Sequence, residues 1–138
     1  MKYRLVALAH DALAEARLLA EHGHGRGAVS RAYYAGFYAA RAVLLAEGEG
    51  PTTHRDVATA FSRLNVQTGL LPLETGLLIR RLAAARNEAD YDDGAVYPPE
   101  ALASVLADAE TFVEAAVGLI PEAPPAGATP APKESAPE

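Results

Sequence analysis

The chain of 138 residues contains no cysteine, no tryptophan and a single methionine. Without thiols it can hold neither a disulfide framework nor a thiolate metal site, a composition that suits a reducing cytoplasm. Long apolar runs are absent too. After Met1-Lys2-Tyr3-Arg4, the stretch Leu5-Val6-Ala7-Leu8-Ala9 is stopped by His10 and Asp11, too short for a signal-peptide core or a membrane span. A basic excess is also missing: 12 Lys and Arg stand against 18 Asp and Glu, giving a net charge of −6. Residues 121–138 hold three Glu and one Lys, so −2 of that charge belongs to them and −4 to residues 1–120. Such a chain does not bind polyanions through its overall field, and nucleic acid would have to meet a local basic patch. No run alternates with period two and no solenoid period repeats, which leaves helices as the building material.

Hydrophobic residues make up 50% of the chain, enough for one domain to bury a core. Punctuation divides it into five helical segments and a tail. The first spans about Lys2 to Glu21 and stops at the glycine-studded His22-Gly23-His24-Gly25-Arg26-Gly27. His22 and His24 flank one glycine with no third ligand indicated, so no metal site is expected there. A second helix runs from about Ala28 to Glu47 and ends at Gly48-Glu49-Gly50-Pro51. Thr53-His54-Arg55-Asp56 has the form of a capping box and opens a third, reaching about Leu64. Pro72 stands at a natural start for the fourth, and Pro98-Pro99 for the fifth, which ends near Leu119. From Pro121 onward six of eighteen residues are proline, the composition of a disordered tail. The expected architecture is all-α, an antiparallel bundle of four to five helices over residues 1–120.

Two patterns carry functional information. On the fourth helix, positions 79, 82, 83, 86 and 90 share one face, which reads Ile, Leu, Ala, Arg, Asp. Arg86 stands where a leucine would continue the stripe, and Asp90 follows one turn later. Such a pair is either an intrahelical ion pair or the lining of a site that needs charge. The same helix ends in Asp90, Asp92 and Asp93, carboxylates that oppose its macrodipole, and local propensity does not explain them. On the second helix, Tyr33, Phe37, Ala40 and Leu44 form a core stripe, while Arg31, Tyr34, Tyr38 and Arg41 occupy an adjacent rim. That rim suits a helix contact, a dimer surface or a phosphate.

The run Arg31-Ala-Tyr-Tyr-Ala-Gly-Phe-Tyr-Ala-Ala-Arg41, then Thr53-His54-Arg55, Phe61, Arg86-Asn-Glu-Ala-Asp90-Tyr91 and Ala109-Glu110-Thr-Phe112-Val-Glu114, resembles the HEPN domain family in its small stand-alone form. The resemblance covers about residues 5 to 118. It implies a compact helical bundle, usually a homodimer. Many members are metal-independent ribonucleases or toxins, often encoded beside a minimal nucleotidyltransferase in a toxin–antitoxin-like pair.

Active members pair an arginine with a histidine four to six residues later, across a dimer cleft. The arginine meets developing phosphorane charge and the imidazole handles protons near neutral pH. Arg86 matches the arginine, but Tyr91, Asp92 and Asp93 stand where the histidine would be. A tyrosine with an ordinary pKa of about 10 is a poor base at pH 7. Asp90, Tyr91 and His54 are the residues that could complete a site with Arg86. For Tyr91 the alternative is packing over the helix end, and for His54 a first-turn surface position. Two readings follow: a binding module holding nucleotide, RNA or a nucleotidyltransferase partner through a dimer groove around Arg86, or a metal-independent endoribonuclease toxin. Neither calls for a cofactor or a membrane, and the missing histidine favours binding.

Overall fold

A computed structural model describes residues 1–121, so the proline-rich tail lies outside the described residues apart from Pro121. Five helices follow one another: α1 (Lys2–Glu21), α2 (Gly25–Ala46), α3 (His54–Phe61), α4 (Leu73–Tyr91) and α5 (Pro99–Val117). A π-helical turn (Ser62–Val66) extends α3. No strand occurs among the described residues, and the fold is the all-α helical bundle expected from the sequence. None of the described helices is long and apolar enough to cross a membrane.

The α2 helix is the axis of the bundle, touching each of the other four helices. Its composition explains how. Ala32, Ala35, Ala39 and Ala42 are wholly buried, as are Ala9, Ala12 and Ala16 of α1, so the two backbones approach closely along their length. At Gly36 a Cβ would lie 3.0 Å from Ile79 Cδ1 and 3.4 Å from Leu82 and Phe112 side-chain atoms. The missing methyl is what lets α4 and α5 seat on α2 together. Phe61 and Phe112, both fully buried with ring centroids 5.2 Å apart, close the core between α3 and α5.

Helix ends obey local chemistry, with one surprise. Gly48 leaves α2 at φ 84, a left-handed turn that glycine adopts without strain. Thr53 caps α3, its hydroxyl oxygen accepting from the Asp56 amide at 3.1 Å. The third helical stretch does reach the region of Leu64, but its last part widens: the Gln67 amide donates to Ser62 O, five residues back, at 2.9 Å. The cause is the buried Asn65, whose amide donates to Glu47 Oε1 at 3.2 Å while its backbone carbonyl accepts from Leu71 N at 2.8 Å. The second helix begins at Gly25, three residues before the expected Ala28. Its glycines pack rather than loop: Gly25 lies against the Tyr97 side chain and Gly27 against Leu19.

The acidic end of α4 also has its explanation. Arg26, in the first turn of α2, donates from Nη1 to the carbonyl of Ala89 and from Nη2 to the carbonyls of Asp92 (2.7 Å) and Asp93 (2.8 Å). A cation from a distant element thus supplies the charge that the last turn of α4 lacks.

Candidate functional site

The face of α4 that reads Ile79, Leu82, Ala83, Arg86, Asp90 turns toward α2 and α3. Leu82 is fully buried and seats the helix; Arg86, one turn on, is 22% exposed, and Asp90 is 34% exposed. Asp90 Oδ2 lies 3.1 Å from Arg86 Nε, the i, i+4 pair that the spacing allows. The contact is a charge contact rather than an aligned hydrogen bond, since Nε is buried and finds no acceptor along its N–H direction. Among the described residues no hydrogen bond engages the terminal amino groups of Arg86.

What Arg86 faces is aromatic. Its guanidinium carbon stands 5.3 Å from the ring centre of Tyr33 and 5.7 Å from that of Tyr34, within cation–π range. Tyr33 belongs to the core stripe of α2, yet its hydroxyl reaches out of the core to His54 Nδ1 at 2.7 Å. His54 packs on Phe37, ring centres 4.5 Å apart, and borders Tyr34 as well. A first-turn surface position was the other expectation for His54. It is instead half-buried, because the Thr53 cap turns the start of α3 inward over α2.

Electrostatics follow from this packing. Burial lowers the His54 pKa from its ordinary 6.5, and the nearby Arg86 charge lowers it further. The imidazole is therefore neutral near pH 7, with one nitrogen held by Tyr33 and the other not engaged by any described residue. Burial raises the Tyr33 pKa above 10.0, with Arg86 opposing and Tyr34 adding to the rise, so its hydroxyl stays protonated. The arrangement is a fixed cation and a neutral imidazole, both half-buried, over a buried phenol, the components for gripping an anion and moving a proton.

The remaining sequence candidates divide. Arg31 ion-pairs with Glu15 of α1 at 2.9 Å and lies 5.6 Å from the Tyr34 ring, so it borders the cluster. Tyr38 continues the row from Tyr34, the rings tilted with centres 6.0 Å apart, and Arg41 is half-buried with its Nε unpaired. Tyr91 is 80% exposed; it neither packs over the helix end nor joins the rings around Arg86. Tyr33 was missed as a polar participant because its helical position marks it as core. Arg26 was missed too, although the uncompensated carbonyls and carboxylates at the end of α4 were a sign that a cation had to come from elsewhere. No cluster of metal-ligating side chains occurs among the described residues.

Fold and site together define a small all-α bundle with an arginine–histidine–tyrosine cluster at the meeting of three helices. The chain belongs to the HEPN domain family: residues 3–120 match the HEPN domain. It is 35% identical over 112 residues to a UPF0332 protein of Thermotoga maritima, covering 81% of this chain and 85% of that one. It is 34% identical over 110 residues to the protein named "Putative toxin MJ0605" of Methanocaldococcus jannaschii, covering 80% of this chain and 81% of that one.

Proposed function

We propose that this HEPN chain is a toxin-type protein that binds RNA by its phosphate backbone at Arg86, as one component of a two-gene module with a nucleotidyltransferase. The observation that carries the reading is the held but unsatisfied guanidinium. Asp90 and the two tyrosines fix its position, and its terminal amino groups remain available for a phosphate, the oxyanion that a planar fork suits best. The toxin character is supported by the name of the archaeal relative.

A homodimer is part of this reading. On α4, Leu73, Leu77, Ala84 and Tyr91 line up within one narrow sector and are all exposed, Leu73 by 71% and Tyr91 by 80%. A second copy is the occupant that fits a stripe carried by every chain. Nearly opposite it on the helix, Arg86 stays open to ligand.

A second reading, cleavage, is favoured by one observation: an imidazole, absent from the end of α4, stands near Arg86 on α3. With Nδ1 of His54 donating to the Tyr33 oxygen, Nε2 takes the proton of a ribose 2′-hydroxyl. The O2′–P bond then forms as the P–O5′ bond breaks, Arg86 meets the charge on the phosphoryl oxygens, and the imidazolium returns its proton to the leaving O5′. The products are a 2′,3′-cyclic phosphate and a 5′-hydroxyl.

The test is purified protein on single-stranded RNA in EDTA, with gel-shift and product analysis. Arg86→Ala is expected to weaken binding at least about tenfold with helix content unchanged. His54→Gln is expected to retain binding, and to lose any cleavage. Unaltered RNA binding by Arg86→Ala overturns the first reading, and cleavage that survives His54→Gln overturns the second.

A further inference from the structure

The α3 and α4 helices run in opposite directions across α2, with the start of α3 beside the end of α4 at the His54–Arg86 cluster. Followed the other way, the space between them opens into a cleft of about 300 Å³. Its lining is apolar at Ala58 and Ile79, over the buried Phe61, and polar at the hydroxyls of Thr59 and Ser62 and the amide of Gln67. None of these three side chains makes a hydrogen bond within the described residues. Arg80 stands on the rim. Its neighbour Arg81 points the other way and is fully engaged by Asp108 through two hydrogen bonds of 3.0 and 2.9 Å, whereas Arg80 has no ion pair among the described residues. On α3, Arg55 is likewise exposed and unpaired among them, and shares a stripe with Thr59 and Ser62.

We infer that this cleft is a nucleobase subsite, which takes one base of a single-stranded RNA whose backbone continues to Arg86. The inference rests on the phosphate reading of Arg86 and extends it to sequence preference. The apolar side chains of Ala58 and Ile79 receive a base face, while two hydroxyls and a carboxamide, each able to donate and accept, read its polar edge. The volume lies at the small end of ligand pockets, suited to a single base. The spacing also fits. Six residues of helix separate Arg80 from Arg86, about 9 Å at 1.5 Å per residue, or two to three nucleotide steps at about 3.4 Å per stacked step. Arg55, Arg80 and Arg86 then mark a basic track on a chain whose overall charge is negative, the local patch that nucleic-acid binding requires of it.

The experiment is fluorescence anisotropy with labelled octamers of A, C, G and U, and with one octamer carrying abasic sites. The wild-type chain is expected to prefer one homopolymer by about five- to tenfold, the discrimination that one or two base hydrogen bonds supply. Ser62→Ala combined with Gln67→Ala brings that preference below about twofold and leaves abasic binding unchanged. Thr59→Val, nearly isosteric, reduces it in part and guards against a folding artefact. Arg80→Gln weakens all four oligomers alike and lowers the salt slope by about 0.7, the signature of one lost phosphate contact to a single strand. Equal wild-type affinity for all four homopolymers, or a preference that survives the double substitution, overturns the subsite while leaving Arg86 intact. Failure of Arg86→Ala to weaken any oligomer, or no binding to any of them, overturns the phosphate reading beneath it as well.

Discussion

The α1–α2 hairpin and the α3–α4 pair are built on opposite principles. In α2, twelve of 22 residues are buried, most of them alanine or glycine sized, and its partner α1 meets it with a matching row of alanines. In α4 only Thr75, Leu82 and Ala89 of 19 residues are buried, and α3 is an eight-residue helix ending in a widened turn. One pair is a scaffold; the other is mounted on it by a few anchors. That difference is what creates space between α3 and α4 and places charged groups over the aromatic row of α2. Tight packing throughout would have left no room for an arginine at 22% exposure.

The contrast can be broken by substitution. Leu44→Ala, in the scaffold half, is expected to cost about 2–5 kcal/mol, against less than about 0.5 for Asn87→Ala on the exposed surface of α4, as read from urea unfolding midpoints. Similar losses at both positions would mean that α4 is packed as tightly as the scaffold. Arg26→Ala tests the anchor that ties the halves together. It is expected to cost about 1–2 kcal/mol and to speed amide exchange selectively at residues near the end of α4. Global rather than local loss of protection would make Arg26 a core element. Thr53→Ala is expected to cost about 1 kcal/mol and to free the start of α3, weakening the His54–Tyr33 contact seen by imidazole chemical shifts.

The pH dependence sharpens the comparison further. His54 has a folded-state pKa below its unfolded value of 6.5, so between those two values the unfolded chain binds more protons than the folded one. Stability is therefore fully present above pH 6.5 and falls as pH drops from there through the lower folded value. His10, half-buried in the scaffold half, acts in the same direction. His54→Gln should make the decline in melting temperature between neutral and acidic pH shallower without abolishing it. An unchanged slope would place the effect on His10 alone.

Whatever is local in this chain was legible in its residues. The helices, the Thr53 cap and the Arg86–Asp90 pair each depend on neighbours within four positions. The contacts that shape the site do not. Tyr33 meets His54 across 21 positions and Arg26 meets the end of α4 across 63, and helical periodicity is silent at such range. The glycines around Arg26 looked like loop for the same reason: only the packing of Tyr97 on Gly25 shows them to be helix. The π turn arises from Asn65 and its partners at Glu47 and Leu71, not from any preference of Ser62–Val66.

The Arg26 clamp has a further meaning. By joining the first turn of α2 to the carbonyls after α4, one guanidinium closes the chain from residue 26 to residue 93 into a circuit. His54, Arg86, the tyrosine row and the cleft all lie within it. Opening of this circuit, as a cooperative unit distinct from the fraying of α1 or α5, would then unlatch the end of α4 that carries Arg86 and Asp90. The turn that carries Asp90 is thus held by a residue that no ligand need ever touch.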